Sequence, residues 1–263
     1  MLFGWVNLLY LLTGCFTGLM SGTLGIGGGV VVVPALMFIL ELNNLVPAAL
    51  SMHMAAGSSL AIILFTSISA LRAHRSIEPI LWEVYGRLWP GIILGTIFGA
   101  ILASFLSTSV LRVIFALFLL FVAYKMAFAQ REQIASFPSK WLNQLVSFIV
   151  GLKSGLLGVG GGVLIIPYLT YCGVNPRRIA PVSSLCTMTV AFIGTLTFMF
   201  LSHDLTKVKY ATGYVYWPAV FWVTLASTLA APLGAKLSYV LPLRVMRYAF
   251  IGILLLTVVG LVL

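Results

Sequence analysis

Apolar residues run along this chain in long blocks, broken by short polar or glycine-rich stretches. The first half holds the runs Leu2–Met20, Leu24–Leu40, Val46–Leu71, Val84–Leu106 and Val110–Phe128. A polar stretch, Ala129–Lys140, follows and contains Gln130, Arg131, Glu132, Gln133, Pro138 and Ser139. The second half holds Leu142–Leu157, Val159–Cys172, Ile179–Leu201, Val215–Leu237 and Val245–Leu263. A helix crosses a bilayer core with about 20 apolar residues. The last three runs of each half reach that length and predict spanning helices. The first two of each half are shorter or interrupted by glycine, and predict half-helices arranged as a broken or re-entrant pair.

The two halves match each other. Gly18-Leu19-Met20-Ser21-Gly22-Thr23-Leu24-Gly25-Ile26-Gly27-Gly28-Gly29-Val30 and Pro34 align without a gap with Gly151-Leu152-Lys153-Ser154-Gly155-Leu156-Leu157-Gly158-Val159-Gly160-Gly161-Gly162-Val163 and Pro167. Further along, Ser58-Ser59-Leu60 matches Ser183-Ser184-Leu185, Gly99-Ala100 matches Gly234-Ala235, and Arg112 matches Arg247. Matches kept in order along both halves are the mark of an internal repeat. The expected fold is an all-α integral membrane protein of two homologous membrane repeats, residues 1–128 and 141–263, joined by a polar linker at 129–140.

Basic residues set the orientation. If the first two runs of each half return the chain to its starting side, each half makes an odd net number of crossings and the repeats are inverted. Arg72, Arg75, Arg87, Lys125, Arg131, Lys140, Arg177, Arg178, Lys236, Arg244 and Arg247 then share one side, with Arg112, Lys153, Lys207 and Lys209 on or toward the other. If those runs made a single crossing, the basic residues would divide almost evenly. The excess of Lys and Arg in cytoplasmic loops favours the inverted arrangement, with both termini outside the cytoplasm. Met1 to Thr23 carries no basic n-region and is read as a retained membrane segment.

The glycine-rich turns are the candidate chemistry. Each glycine costs a helix about 1 kcal/mol relative to alanine, and a broken helix in lipid leaves N–H and C=O groups unpaired at a cost of several kcal/mol each. Such backbone persists where it is buried in protein or lines a polar cavity. Glycine lets successive N–H groups approach and converge on an anion. The run after each glycine stretch can be a half-helix whose partly positive N-terminus points at the same place. Paired broken segments in inverted repeats point to a transporter site near the midplane. The competing reading is close helix packing, which glycines also serve. A Rossmann or phosphate-loop reading is weak, because neither copy has the soluble strand–turn–helix setting or a Gly-Lys-Ser/Thr ending.

Gly25-Ile26-Gly27-Gly28-Gly29 with Pro34, and Gly158-Val159-Gly160-Gly161-Gly162 with Pro167, each followed by a small-Ser-Leu element, resemble the sulfite exporter TauE/SafE family of bacterial permeases. The resemblance covers essentially the whole chain. It implies transport of sulfite, sulfoacetate or other sulfur-containing organic or inorganic anions across the cytoplasmic (inner) membrane. Gly57-Ser58-Ser59-Leu60 and Val182-Ser183-Ser184-Leu185 depart from the Thr-Ser-Leu common in the family, but keep the hydroxyl.

The expected substrate-binding set is Ser21, Gly25, Gly27, Gly28, Gly29, Ser58, Ser59, Lys153, Ser154, Gly158, Gly160, Gly161, Gly162, Ser183 and Ser184. Lys153 takes the place of Met20 in the other repeat. A helix beginning near Trp141 puts it about 18 Å along, at mid-bilayer, where an ionisable residue is a functional candidate. A later start would let it snorkel to the interface. The serines are equally suited to bonding a neighbouring carbonyl within a helix pair. His53, near Ser51, reads as an interfacial histidine, with anion or proton binding as the alternative, and Arg112 and Arg247 read as interfacial anchors.

Composition narrows the class. Of 263 residues 61% are hydrophobic and 8% charged, against about a quarter charged in a soluble domain, so the partner of most of the surface is the lipid bilayer. The net charge of +10 is accounted for by topology-setting loops, and no basic polar face suggests nucleic acid. Cys15, Cys172 and Cys186 have no CxxC spacing and read as free thiols; with His53, His74 and His203 isolated, neither metal nor cofactor is expected. Glu41, Glu78, Glu83, Glu132 and Asp204 form no mid-span relay, and no catalytic cluster suggests an enzyme. The sequence therefore predicts an alternating-access carrier for a small anionic substrate, one half rocking against the other. An anion channel and a non-transporting membrane partner or enzyme stay open as alternatives. So do a proton or sodium coupling ion and a homo-oligomeric assembly.

Overall fold

The computed structural model describes residues 2–24, 28–75, 78–128, 139–201, 208–240 and 243–262. Gly25 and Gly27, His203, Asp204 and Lys207, and most of the polar linker, including Arg131 and Glu132, lie outside the described residues. The helices are α1 (Leu2–Leu24), α2 (Gly29–Leu42), α3 (Ser51–Arg75), α4 (Trp82–Phe105), α5 (Thr108–Phe128), α6 (Lys140–Leu157), α7 (Gly162–Tyr171), α8 (Pro176–Phe200), α9 (Trp217–Val240) and α10 (Leu243–Val262), with a 3-10 turn at Ala48–Leu50. Five segments among the described residues are long and apolar enough to cross a membrane: Ala48–Arg72, Trp82–Phe105, Thr108–Ala127, Arg178–Phe200 and Trp217–Gly234. Large apolar side chains such as Phe98, Leu117, Phe121, Phe221, Leu229 and Leu256 face outward, as a lipid-facing surface requires. The protein is a multi-pass, all-α membrane protein.

Two expectations are corrected here. Each opening pair is one long helix and one short one rather than two half-helices: α1 has 23 residues and α6 has 18, against 14 in α2 and 10 in α7. The apolar run at Val215 does not begin as helix. Ala211–Thr212 (β1) and Val215–Tyr216 (β2) pair antiparallel around a tight turn with Gly213 at φ 60°, and α9 starts at Trp217. The β-branched and aromatic pair at the head of the run suits a strand.

Two interlocked seams hold the bundle. α1 lies along α9 and α4 lies along α6. Small residues at four-residue spacing line both: Gly91, Gly95 and Gly99 on α4 face Ser147, Gly151 and Gly155 on α6. A Cβ at Gly99 would lie 2.0 Å from the Leu152 carbonyl oxygen, and one at Gly155 2.2 Å from that of Thr96. On the other seam a Cβ at Gly18 would lie 2.5 Å from the Ser227 carbonyl, and one at Gly234 2.3 Å from that of Leu19. Backbones this close gain dispersion contact that larger side chains would prevent. Elsewhere α3 packs on α8 and α5 on α10. Exchanging the halves maps each of these pairings onto another or onto itself.

Polar contacts fix which helix ends lie together. Arg178 reaches Glu78 at 3.7 Å, and the Gln144 amide donates to the Arg87 carbonyl at 2.8 Å. The end of α3 and the starts of α4, α6 and α8 thus form one basic end, with exposed Arg72, Arg75 and Arg178. At the opposite end, Arg112 of α5 pairs with Glu41 of α2, which also accepts from Ser51. Arg112 is therefore an ion-paired tie between helices. His53, near the start of α3, is buried, and its Nε2 lies 3.0 Å from both the Ala103 and Leu106 carbonyls at the end of α4.

Candidate functional site

The chain leaves helical geometry at both glycine stretches. α6 ends at Gly158, whose φ of 70° is left-handed and whose N–H donates to the Ser154 carbonyl at 3.0 Å. α7 resumes at Gly162. In the other half α1 ends at Leu24 and α2 resumes at Gly29, after Gly28 with φ 26°. Pro34 and Pro167 sit at matching places inside the short helices. The two turns touch: a Cβ at Gly29 would lie 3.2 Å from Val159 Cα and 3.3 Å from the Gly158 oxygen.

Their surroundings differ. Gly158, Gly160, Gly161 and Gly162 are buried. A Cβ on Gly158 would lie 2.4 Å from Ala56 Cα, and the side of Gly161 meets Ile165, Val190 and Val150. This turn is sealed against α3. Gly28 instead borders a cavity of about 270 Å³. Thr17, Gly18 and Ser21 of α1 line it, with Ile62, Thr66, Ser67, Ser69 and His74 of α3, Ser184 and Thr187 of α8, and Ser227 of α9. Ile62 and His74 stand twelve residues apart on α3, about 18 Å at 1.5 Å per residue, so the cavity runs from the middle of the bundle to the basic end.

The hydroxyls fall into two groups. Thr17, Thr66, Ser67 and Ser227 donate to carbonyls of their own helices, Thr13 at 2.8 Å, Ile63 at 3.1 Å, Leu64 at 2.9 Å and Thr224 at 3.2 Å. Ser21, Ser69, Ser184 and Thr187 make no such bond and are free to donate into the cavity. The first amides of α2 precede its first intrahelical hydrogen bond and carry the positive end of its dipole. Among the described residues on the wall, His74 is the one ionisable side chain. Burial lowers its pKa from the ordinary value, so the ring is neutral at pH 7 and gains charge only in acid. The cavity thus offers hydrogen-bond donors in weak positive potential, which suits a small anion. No cluster of His, Cys, Asp and Glu fit to hold a metal occurs among the described residues.

Of the residues singled out in the sequence, the cavity gathers Ser21, Gly28 and Ser184. Gly29 lies at the junction of the two turns. Ser58 accepts the Tyr216 N–H at 2.9 Å. Ser59, Ser154 and Ser183 are buried with hydroxyls that have no partner. Lys153 does not line the cavity; its buried Nζ has no hydrogen-bond partner and lies 4.1 Å from the centroid of the Phe118 ring, near the middle of α5. Sequence reasoning missed Ser69, Thr187 and His74. A signal existed: Thr66, Ser69 or Ala70, and His74 repeat at helical spacing on one face of α3.

The two glycine positions at helix ends are unequal to ordinary ones, and this is measurable. Gly158→Ala combines left-handed strain with a clash on Ala56, for an expected loss of about 3 kcal/mol. Gly86→Ala on the open face of α4, where nothing lies within 4 Å, is expected to be neutral or slightly stabilising. Thermal unfolding of the detergent-purified variants checks the contrast.

A bundle of apolar helices with two touching glycine breaks, one of which borders a donor-lined cavity, has the architecture of a multi-pass membrane transporter. The sulfite exporter TauE/SafE family profile matches residues 10–261, and the chain belongs to that family. A probable membrane transporter protein of Haemophilus influenzae is 31% identical over 246 residues, covering 92% of this chain and 93% of the relative. One of Methanocaldococcus jannaschii is 27% identical, covering 94% and 92%. One of Bacillus subtilis is 24% identical, covering 86% of each. No solved structure matches the chain.

Proposed function

We propose that this protein is an alternating-access permease of the bacterial cytoplasmic membrane for a small oxyanion, with sulfite, sulfonates and related sulfur-containing anions as the substrate class. The observation that carries this reading is the cavity at the first glycine turn. It runs from mid-bundle to the basic end, and four unengaged hydroxyls from three helices converge on it. The excess of Lys and Arg makes that end cytoplasmic, so the anion enters or leaves the site from the cytoplasm in this conformation. The packing of Gly158 on Ala56 closes the opposite half, which supports a carrier over a channel.

In this reading residues 1–128 and 141–263 are inverted repeats. The exchange of helix pairings between halves supports that relation. The binding set in the present conformation is Ser21, Gly28, Ser69, Ser184 and Thr187. When the outer half opens, the second turn, Gly158 to Gly162, and the unpartnered hydroxyls of Ser59 and Ser154 take the equivalent part, and Lys153 supplies positive charge nearby. The moving bodies are not the halves as written in the chain. Because α1 is seamed to α9 and α4 to α6, each body takes helices from both halves.

Uptake of labelled sulfite into proteoliposomes of the purified protein tests the proposal. Saturable uptake that small sulfonates compete with is expected. Failure of sulfite, thiosulfate and sulfonates alike to accumulate above empty liposomes would rule the substrate class out.

A further inference from the structure

The hairpin between α8 and α9 is docked into the bundle at the end opposite the cavity mouth, and its contacts are those of a closure rather than of a loose connection. Val215 is fully buried and Tyr216 nearly so. The turn lies flat on the end of α8: a Cβ at Gly213 would stand 2.4 Å from the Phe198 oxygen, and the Tyr214 N–H donates to that same oxygen at 3.0 Å. Against α3, the Tyr216 N–H donates to the Ser58 hydroxyl at 2.9 Å. The Tyr214 carbonyl sits where a Cβ on Gly57 would be 2.5 Å away. The Tyr214 ring stacks on His53 at 5.3 Å between centroids and meets Phe198 edge-on at 6.0 Å.

These contacts converge on three consecutive residues of α3. Ala56 carries the second glycine turn, Gly57 carries Tyr214, and Ser58 holds the Tyr216 amide. The outer half of the bundle is therefore plugged by the hairpin and the turn together, on either side of one stretch of helix. In the other half the residue matching Ser58 is Ser183, whose hydroxyl is buried without a partner. By the exchange of halves, the connection that Ser183 would hold is the one between α3 and α4, at the mouth of the cavity. One such contact is made at the closed end, and its counterpart is unmade at the open end.

Resting on the alternating-access reading above, we propose that the hairpin Ala211–Tyr216 is the outer gate of the permease. It is latched by Ser58, by the bare backbone at Gly57 and by the His53–Tyr214 stack, and its release from α3 opens the site outward. Ser58 is thereby a positioning residue of the gate rather than a ligand of the anion. Gly57 is small so that the hairpin backbone can reach α3. A gate held by one hydrogen bond, one stack and close packing can be released without breaking an ion pair, as a cycle that opens and closes repeatedly requires.

Accessibility of Val215 reads the gate without transport. Val215→Cys is placed in a background with Cys15, Cys172 and Cys186 replaced by alanine, and reacted from the outer side of right-side-out vesicles with a membrane-impermeant maleimide. Slow labelling is expected with the latch intact. Gly57→Ala should raise the rate at least tenfold. Ser58→Ala, which removes one bond without a clash, should give a smaller rise and carries the test if the glycine variant fails to fold. Rates within twofold of one another in all three would overturn the gate. A second arm bridges His53→Cys to Tyr214→Cys with a short bifunctional methanethiosulfonate, which joins the two thiols through reducible disulfides and releases methanesulfinate. Sulfite uptake should fall at least tenfold and recover on reduction. Undiminished uptake after complete bridging would overturn the gate while leaving the permease reading intact. A wild-type protein that accumulates none of sulfite, thiosulfate and sulfonates defeats the substrate class before any variant is made, and the Val215 labelling rates still decide the gate.

Discussion

Gly99→Leu is expected to yield no monodisperse protein on gel filtration after detergent extraction. The seam between α4 and α6 brings backbones together where real Cβ atoms do not fit: 2.0 Å to the Leu152 oxygen at Gly99 and 2.1 Å to the Phe148 oxygen at Gly95. An alanine at either site already forces the helices apart, for an expected loss of about 2–3 kcal/mol. Leucine adds three carbons along the same line and pushes the helices beyond contact over several turns. In lipid no hydrophobic effect draws helices together, so lost packing is not compensated by burial elsewhere. Gly86→Leu, on the open face of the same helix, is the control and should behave as wild type. If Gly99→Leu were monodisperse with an unchanged unfolding midpoint, the seam would not exist as described.

Removing the four free hydroxyls, Ser21→Ala with Ser69→Ala, Ser184→Ala and Thr187→Val, is expected to lower sulfite uptake at subsaturating concentration by at least a hundredfold. A hydrogen bond to a charged group contributes about 1.5–3 kcal/mol, or roughly tenfold or more in affinity, and no side chain on the wall is positively charged at neutral pH to compensate. The matched control replaces Thr17 and Thr66 with valine and Ser227 with alanine. These hydroxyls border the same cavity but already donate to their own helices, so their loss should change uptake less than fivefold. Equal losses in both sets would show that the cavity is merely polar, without a defined donor set.

The helices were legible in the sequence because lipid as solvent demands long uninterrupted apolar blocks, and the breaks because few other places tolerate three glycines in a row. The hairpin was not, since Val215 and Tyr216 read as the head of an apolar helix until they pair with Ala211–Thr212 and the Ser58 hydroxyl takes the Tyr216 amide. The site was half legible for a physical reason. Ser21 and Ser184 stood out because they recur in the repeat. Ser69, His74 and Thr187 did not, because their counterparts at the register of Ser58 and Ser183 are Gly194, Met199 and Ile62. Comparing the repeats selects what the halves share, whereas a cavity open toward one face depends on where they differ. Lys153 shows a further limit. Its depth followed from helix rise, but nothing in the sequence said that its amine would turn toward Phe118.

The pairing of α1 with α9 also bears on how the protein is made. Gly14 and Gly18 lie on α1, yet the carbonyls they press against belong to Val223 and Ser227, which are synthesised some two hundred residues later. Throughout that interval the glycine face of α1 lacks the backbone it packs against. The seam between α1 and α9 can therefore close only after α9 has been made, and a polypeptide arrested before α9 leaves Gly14 and Gly18 without the carbonyls they press against.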